Sequence, residues 1–180
     1  MTQVRPVLVD YRSCLRAAGF LALLIPAALP AQISDETADK AADETAVLAL
    51  ADSALQLISD EDFVGLTDLM LDEASSFTVR ERDGVLGYRI RTRAEERAMT
   101  VDVDLVERGF GGIAQVQGHL ATVWLPYDFY TDGEWSHCGV DTFTMLRTEE
   151  GWRIASLAWT VEQPPDCERH PDGPPASSPG

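Results

Sequence analysis

Gly118–Glu162, GHLATVWLPYDFYTDGEWSHCGVDTFTMLRTEEGWRIASLAWTVE, decides the fold. Two turn signals divide it into three strands. Asp132-Gly133 suits a two-residue hairpin, and Thr148-Glu149-Glu150-Gly151 places glycine where a left-handed residue is needed. The strands between them carry large apolar side chains on both faces, so the chain ends in a twisted antiparallel sheet that must be covered twice. One face can pack on helices, and a second copy of the chain would cover the other.

Opposed residues share a face. A register centred on Asp132-Gly133 opposes Asp128 to His137, Trp124 to Asp141 and Tyr130 to Trp135. One face then gathers Trp124, Asp128, Tyr130, Trp135, His137, Asp141, Phe143 and Met145. The other gathers Val123, Leu125, Tyr127, Phe129, Cys138, Val140, Thr142 and Leu146. A bulge would shift these groups by one. His137 opposite Asp128 suits a general acid/base with an orienting carboxylate, and Asp141 would complete a set of three. Aromatic walls would raise a carboxyl pKa by desolvation. The plain alternative is a cross-strand polar pair without chemistry. Trp124, Tyr130, Trp135, Phe143 and Trp159 are the candidate ligand-contacting residues. His119, at a turn, and His170, in the tail, are expected in solvent.

Upstream, Val47, Leu50, Ala51, Ala54, Leu55 and Ile58 recur at helical spacing over 44–58. Ser59-Asp60 offers a cap for a second helix that turns Phe63, Leu66, Leu69 and Met70 inward. Ser76–Arg80 and Leu86–Arg91 flank Asp83-Gly84 as a hairpin. Thr92 and Glu95 form a capping box for a third, largely polar helix from Arg93 to about Val101. Asp104–Val116 reads as one strand bent at Gly109, Gly111 and Gly112. The expected class is α+β: three helices from the first half packed on a strongly curved sheet.

At the N-terminus, Arg5, Arg12 and Arg16 precede an uncharged apolar run, Ala17–Leu29, that ends in Leu29-Pro30-Ala31. This is the pattern of a secretory signal cleaved after Ala31, with an uncleaved anchor as the alternative. The run is short for a membrane span, which needs about 20 residues. Residues 1–31 are therefore read as signal, 32–43 as an acidic leader or frayed helix start, 44–167 as one domain and 168–180 as a disordered tail. Loss of the signal removes three arginines and one aspartate, taking the net charge from −16 to −18. Such acidity excludes nucleic acid and disfavours anionic membranes. Cys138 and Cys167 remain, and in an oxidising periplasmic or secreted setting they suit a structural disulfide. No phosphate loop, GxSxG, HExxH or metal-ligand spacing is present, so no cofactor and no metal are expected.

The order of elements over Glu44–Cys167 resembles the nuclear-transport-factor-2-like superfamily in its SnoaL-like branch. The opening ETAVLALADSALQLISDEDF and the closing RTEEGWRIASLAWT carry the resemblance. The block YDFYTDGEWSHCGVDTF is similar to a secreted bacterial subgroup. The resemblance implies a conical α+β barrel, often dimeric, with a pocket between sheet and helices. The superfamily holds ketosteroid isomerases, dehydratases, epoxide hydrolases and polyketide cyclases, and also non-catalytic binding modules. The histidine-containing last strand of several relatives is here Ser156, Ala158 and Thr160, so those activities do not transfer residue by residue. Three functions are therefore expected in order: a small-molecule binder with a semi-apolar pocket, a cofactor-independent lyase, isomerase or cyclase using His137, Asp128 and Asp141, and a dimeric interaction module.

Overall fold

The computed structural model describes residues 30–176. The expected signal lies outside them apart from its last two residues, which begin the first helix. Helix α1 runs Pro30–Ser59, α2 Phe63–Asp68 and α3 Arg93–Arg97. The strands are β1 Met70–Arg82, β2 Val85–Thr92, β3 Leu105–Gly109, β4 Ile113–Gln117, β5 Leu120–Thr131, β6 Glu134–Thr148 and β7 Gly151–Val161. The sheet order is β2-β1-β7-β6-β5-β3, with β4 also on β5. Every pairing is antiparallel except β1 with β7. The architecture is α+β, with helices packed on one large mixed sheet that is not closed.

The apolar stripe of α1 is buried as its spacing requires: Val47, Ala51, Ala54 and Leu55 join Leu66, Val123, Leu125, Phe143, Met145, Ile154 and Leu157 in the core. The helix starts well before residue 44, so the acidic leader continues it. Asp43 is tied to the sheet by Arg147 at 2.7 Å and by the Trp152 indole at 3.2 Å. Asp62, not Ser59-Asp60, caps α2 by accepting from the Gly65 amide at 2.7 Å. Leu69 and Met70 leave that helix for its cap and for β1. The capping box at Thr92 and Glu95 is present, but α3 ends at Arg97.

The expected bent strand over 104–116 is two strands. β3 pairs with the C-terminal half of β5 and β4 with its N-terminal half. The glycines make the corner: Gly111 has φ +60°, and a Cβ on Gly109 or Gly112 would meet the Leu125 side chain at 2.7 or 2.9 Å. Asp83-Gly84 and Asp132-Gly133 both take positive φ, as tight hairpin turns require.

The hairpin register holds only near the turn. Tyr130 opposes Trp135, but Phe129 opposes His137, leaving Ser136 as an extra residue in β6. Beyond this bulge Asp128 faces Cys138, Leu125 faces Asp141 and Trp124 faces Thr142. The inner face, toward the helices, therefore carries Tyr127, Phe129, His137, Asp141 and Phe143. The outer face carries Trp124, Asp128, Tyr130, Trp135 and Cys138.

Cys138 is bonded to Cys167 across a separation of 29 residues. Closing a loop of that length restricts the unfolded chain and is worth roughly 3.6 kcal/mol. The bridge also lays the tail on the outer face. The His170 amide donates to Asp128 at 3.0 Å, Arg108 donates to the Gly173 carbonyl at 2.8 Å, and Arg169 stacks on Trp135 at 3.6 Å. Residues 168–173, expected to be disordered and to leave His170 in solvent, are instead seated by these contacts. The His170 ring meets Phe110 edge-on at 5.6 Å.

Candidate functional site

A cavity of about 170 Å³ lies between the inner face and the helices. Its walls are mainly apolar: Ile58, Phe63, Met99, Leu105, Phe129 and Leu157, with Trp159 at one side. Five polar side chains reach it, namely Arg91, Glu96, Glu107, His137 and Asp141.

The sheet builds this set in two rows. In one, Glu107 on β3 opposes Phe129 on β5, which opposes His137 on β6. In the other, Leu125 opposes Asp141, which opposes Trp159 on β7. Between the rows Tyr127 crosses above Gly139 and donates to the Thr160 carbonyl at 2.6 Å. A Cβ on Gly139 would come within 2.5 Å of that carbonyl, so only glycine allows the crossing. Ser59 at the end of α1 holds β3 in place: the Glu107 amide donates to its hydroxyl at 2.8 Å.

Burial in this apolar setting disfavours charge on the acids. Glu107 is pushed up to about 8 by desolvation. Asp141 is raised well above the usual carboxylate range, first by desolvation and then by the neighbouring Glu107. Asp141 Oδ2 is fully buried and has no hydrogen-bond partner. Desolvation and the Arg80 charge lower His137 to about 4, so its imidazole is neutral at pH 7. Its Nδ1 lies 3.0 Å from the Ser136 hydroxyl, and its ring stacks on Phe129 at 4.5 Å. The cavity thus holds two carboxyl groups whose charged forms burial disfavours, beside an uncharged imidazole.

Arg91 and Glu96 form a separate, satisfied pair. Arg91 Nε donates to Glu96 at 2.7 Å, Ser76 donates to the same carboxylate at 2.6 Å, and the guanidinium lies 5.2 Å from the Trp159 ring. No group of three or more metal-ligating side chains occurs among the described residues.

Of the expected site residues, His137, Asp141 and Trp159 meet at the cavity. Asp128 does not orient His137, because the bulge sends it to the outer face. There it is fully buried and accepts from Arg108 at 3.0 and 2.6 Å. Tyr130 lies outside beneath Arg108, Trp135 beneath Arg169, and Trp124 is 55% exposed. Phe143 is in the core rather than on the cavity wall. Sequence reasoning missed Glu107. Its signal was an acid in line with Leu105 and Gly109 on alternate strand positions, the face that turns inward.

No protein-family model matches the chain, and no curated protein matches it in sequence. Solved structures do match in shape. An NTF2-like protein of unknown function from Pseudomonas putida is 14% identical, with a TM-score of 0.55 over 75% of this chain and 98% of the other. An NTF2-like protein with a cystatin-like fold from Novosphingobium aromaticivorans is 15% identical, with a TM-score of 0.54 over 76% and 91%. A protein from the same organism, described as the β subunit of an aromatic-ring-hydroxylating dioxygenase, is 11% identical, with a TM-score of 0.56 over 67% and 89%. With helices packed on one large mixed sheet that is not closed, the chain has the nuclear-transport-factor-2-like fold.

Proposed function

We propose that the chain binds a small, largely apolar molecule with one hydrogen-bonding group in the cavity between sheet and helices. The orphaned Asp141 Oδ2 is the observation that carries this reading. A buried oxygen without a partner is costly, and a ligand donor or acceptor reaching it would relieve that cost. An apolar cavity of ~150 Å³ takes up benzene, so the volume here suits a single ring. The setting is proposed to be periplasmic or extracellular. The Cys138–Cys167 bridge supports an oxidising compartment, and no described helix is long and apolar enough to cross a membrane.

A second reading, cofactor-independent proton transfer, is favoured by Glu107, whose raised pKa lies near the working pH of a general acid or base. In this reading Glu107 moves the proton, while Asp141, whose charged form is disfavoured by burial, hydrogen-bonds the ligand oxygen. Cyclohexanone in D2O tests both readings in one NMR experiment. Saturable binding, lost when Met99→Trp fills the cavity, is the result expected of a binder. Asp141-dependent exchange of the ketone's α-protons for deuterium adds catalysis. A folded protein with no saturable binding at millimolar ketone ends both readings.

The outer face is proposed to meet a second copy. Ile113 opposes Trp124 and Leu120 opposes Leu146, and all four are exposed apolar side chains. Sedimentation should find a dimer that Trp124→Glu converts to monomer. A wild-type monomer at micromolar concentration removes this part of the proposal.

A further inference from the structure

The chain is strongly acidic, yet one groove on it is basic. β1 and β2 form a largely exposed hairpin, and a groove on its inner side is lined by Arg80, Arg82, Arg89 and Arg91. The groove is about 570 Å³ and has no aspartate or glutamate among its lining residues. Thr78 opposes Arg89 and Arg80 opposes Gly87, so Arg80 and Arg89 are diagonal neighbours, about 7–8 Å apart at the backbone. Arg82 and Arg91 extend the same face by one step at either end.

Most of the described arginines are paired. Arg91, Arg93, Arg97, Arg108, Arg147 and Arg153 each pair with a carboxylate. Arg80, Arg82 and Arg89 have no ion pair among the described residues, although the sequence holds 30 acids. Like charges gathered on one face of a sheet repel, and an anion among them would relieve that repulsion. Arginine forks suit the planar or tetrahedral oxygens of such an anion.

The groove also adjoins the cavity. Arg91, His137 and Trp159 line both. The neutral His137 ring and the Trp159 indole thus lie at the boundary of the basic groove and the apolar cavity. We propose that the groove is the head-group subsite of the cavity, and that the natural ligand is an amphiphilic organic anion. Its carboxylate or phosphate rests on Arg80, Arg82 and Arg89, and its apolar end passes His137 and Trp159 into the cavity. This rests on the binding reading above and names its substrate class.

Calorimetric titration of the full chain with three probes that share a phenylalkyl tail tests it: 4-phenylbutyrate, 3-phenylpropyl phosphate and 4-phenylbutanol. At least one anion should bind about tenfold or more tightly than the alcohol, the ratio expected for a charge-assisted hydrogen bond. The anion that binds more tightly identifies the head group. The Arg80→Gln/Arg89→Gln variant should erase the preference and leave the alcohol's affinity unchanged, because neither arginine lines the cavity. If all three bind equally, or the variant keeps the preference, the subsite is refuted and the cavity reading stands. If none binds to folded protein, both fall. A variant that no longer binds the alcohol also refutes the subsite, since the arginines would then be supporting the cavity itself; the single Arg89→Gln change checks that result.

Discussion

Asp128→Ala should lower the unfolding free energy by about 3–5 kcal/mol, the usual cost of removing one member of a buried ion pair. Asp128 is fully buried, while the Arg108 side chain keeps 21% exposure. The carboxylate accepts two hydrogen bonds from Arg108 and one from the His170 amide. Alanine would leave a guanidinium half-sunk beside Tyr130 without its counter-charge, and would free the tail that Cys167 delivers. Urea unfolding gives the loss, and proteolysis after residue 167 gives the tail's release. Ring-probe binding should not change, because Asp128 sits on the face away from the cavity. A loss below about 1 kcal/mol, the range of exposed pairs, would mean that the tail does not seal this site. Altered cavity binding with unaltered stability would return Asp128 to the role of orienting His137.

The second large effect is a fall in stability with rising pH, set by the cavity acids. Glu107 titrates near 4.5 in an unfolded chain and near 8 when folded. Asp141 is raised in the same direction. Between those limits a folded Glu107 holds a proton that the unfolded chain has lost, so it removes up to about 1.4 kcal/mol per pH unit as pH rises, and Asp141 acts in the same sense. His137 acts in the opposite sense. Its folded value near 4 lies below the ordinary 6.5, so stability rises with pH across that interval and offsets one acid. The offset ends near pH 6.5, and the steepest fall should run from there to about pH 8. Glu107→Gln should flatten this fall when urea midpoints are compared across the interval, because glutamine keeps the shape and cannot ionise. Parallel profiles for wild type and variant would show that Glu107 ionises freely in the folded state and that the cavity is wetter than its walls suggest.

Much of the fold was legible along the chain because it depends on near neighbours. The stripe on α1, the capping box at Thr92 and Glu95, and the two Asp-Gly turns are local patterns, each satisfied within a few residues. Asp141 and His137 were legible as partners because they lie four apart on one strand, and the bulge at Ser136 precedes both. Glu107 was not legible as their neighbour, since β3 reaches them only through Phe129 on β5. The basic groove was equally hidden. Its arginines alternate along β1 and β2 like any solvated hairpin face, and nothing local shows that this face lines a groove beside a cavity.

By itself the sequence determined the inward stripe of α1, the capping box of α3, the hairpin turns and the Cys138–Cys167 pair, since these follow from periodicity, turn chemistry and the supply of cysteines. Tertiary structure alone decided which side chains meet. One extra residue, Ser136, reverses the inward and outward sense of β6 beyond it relative to the simple hairpin register, because strand faces alternate with a period of two. That single step placed His137 over Phe129 in the cavity, and sent Asp128 outward to Arg108 and the tail.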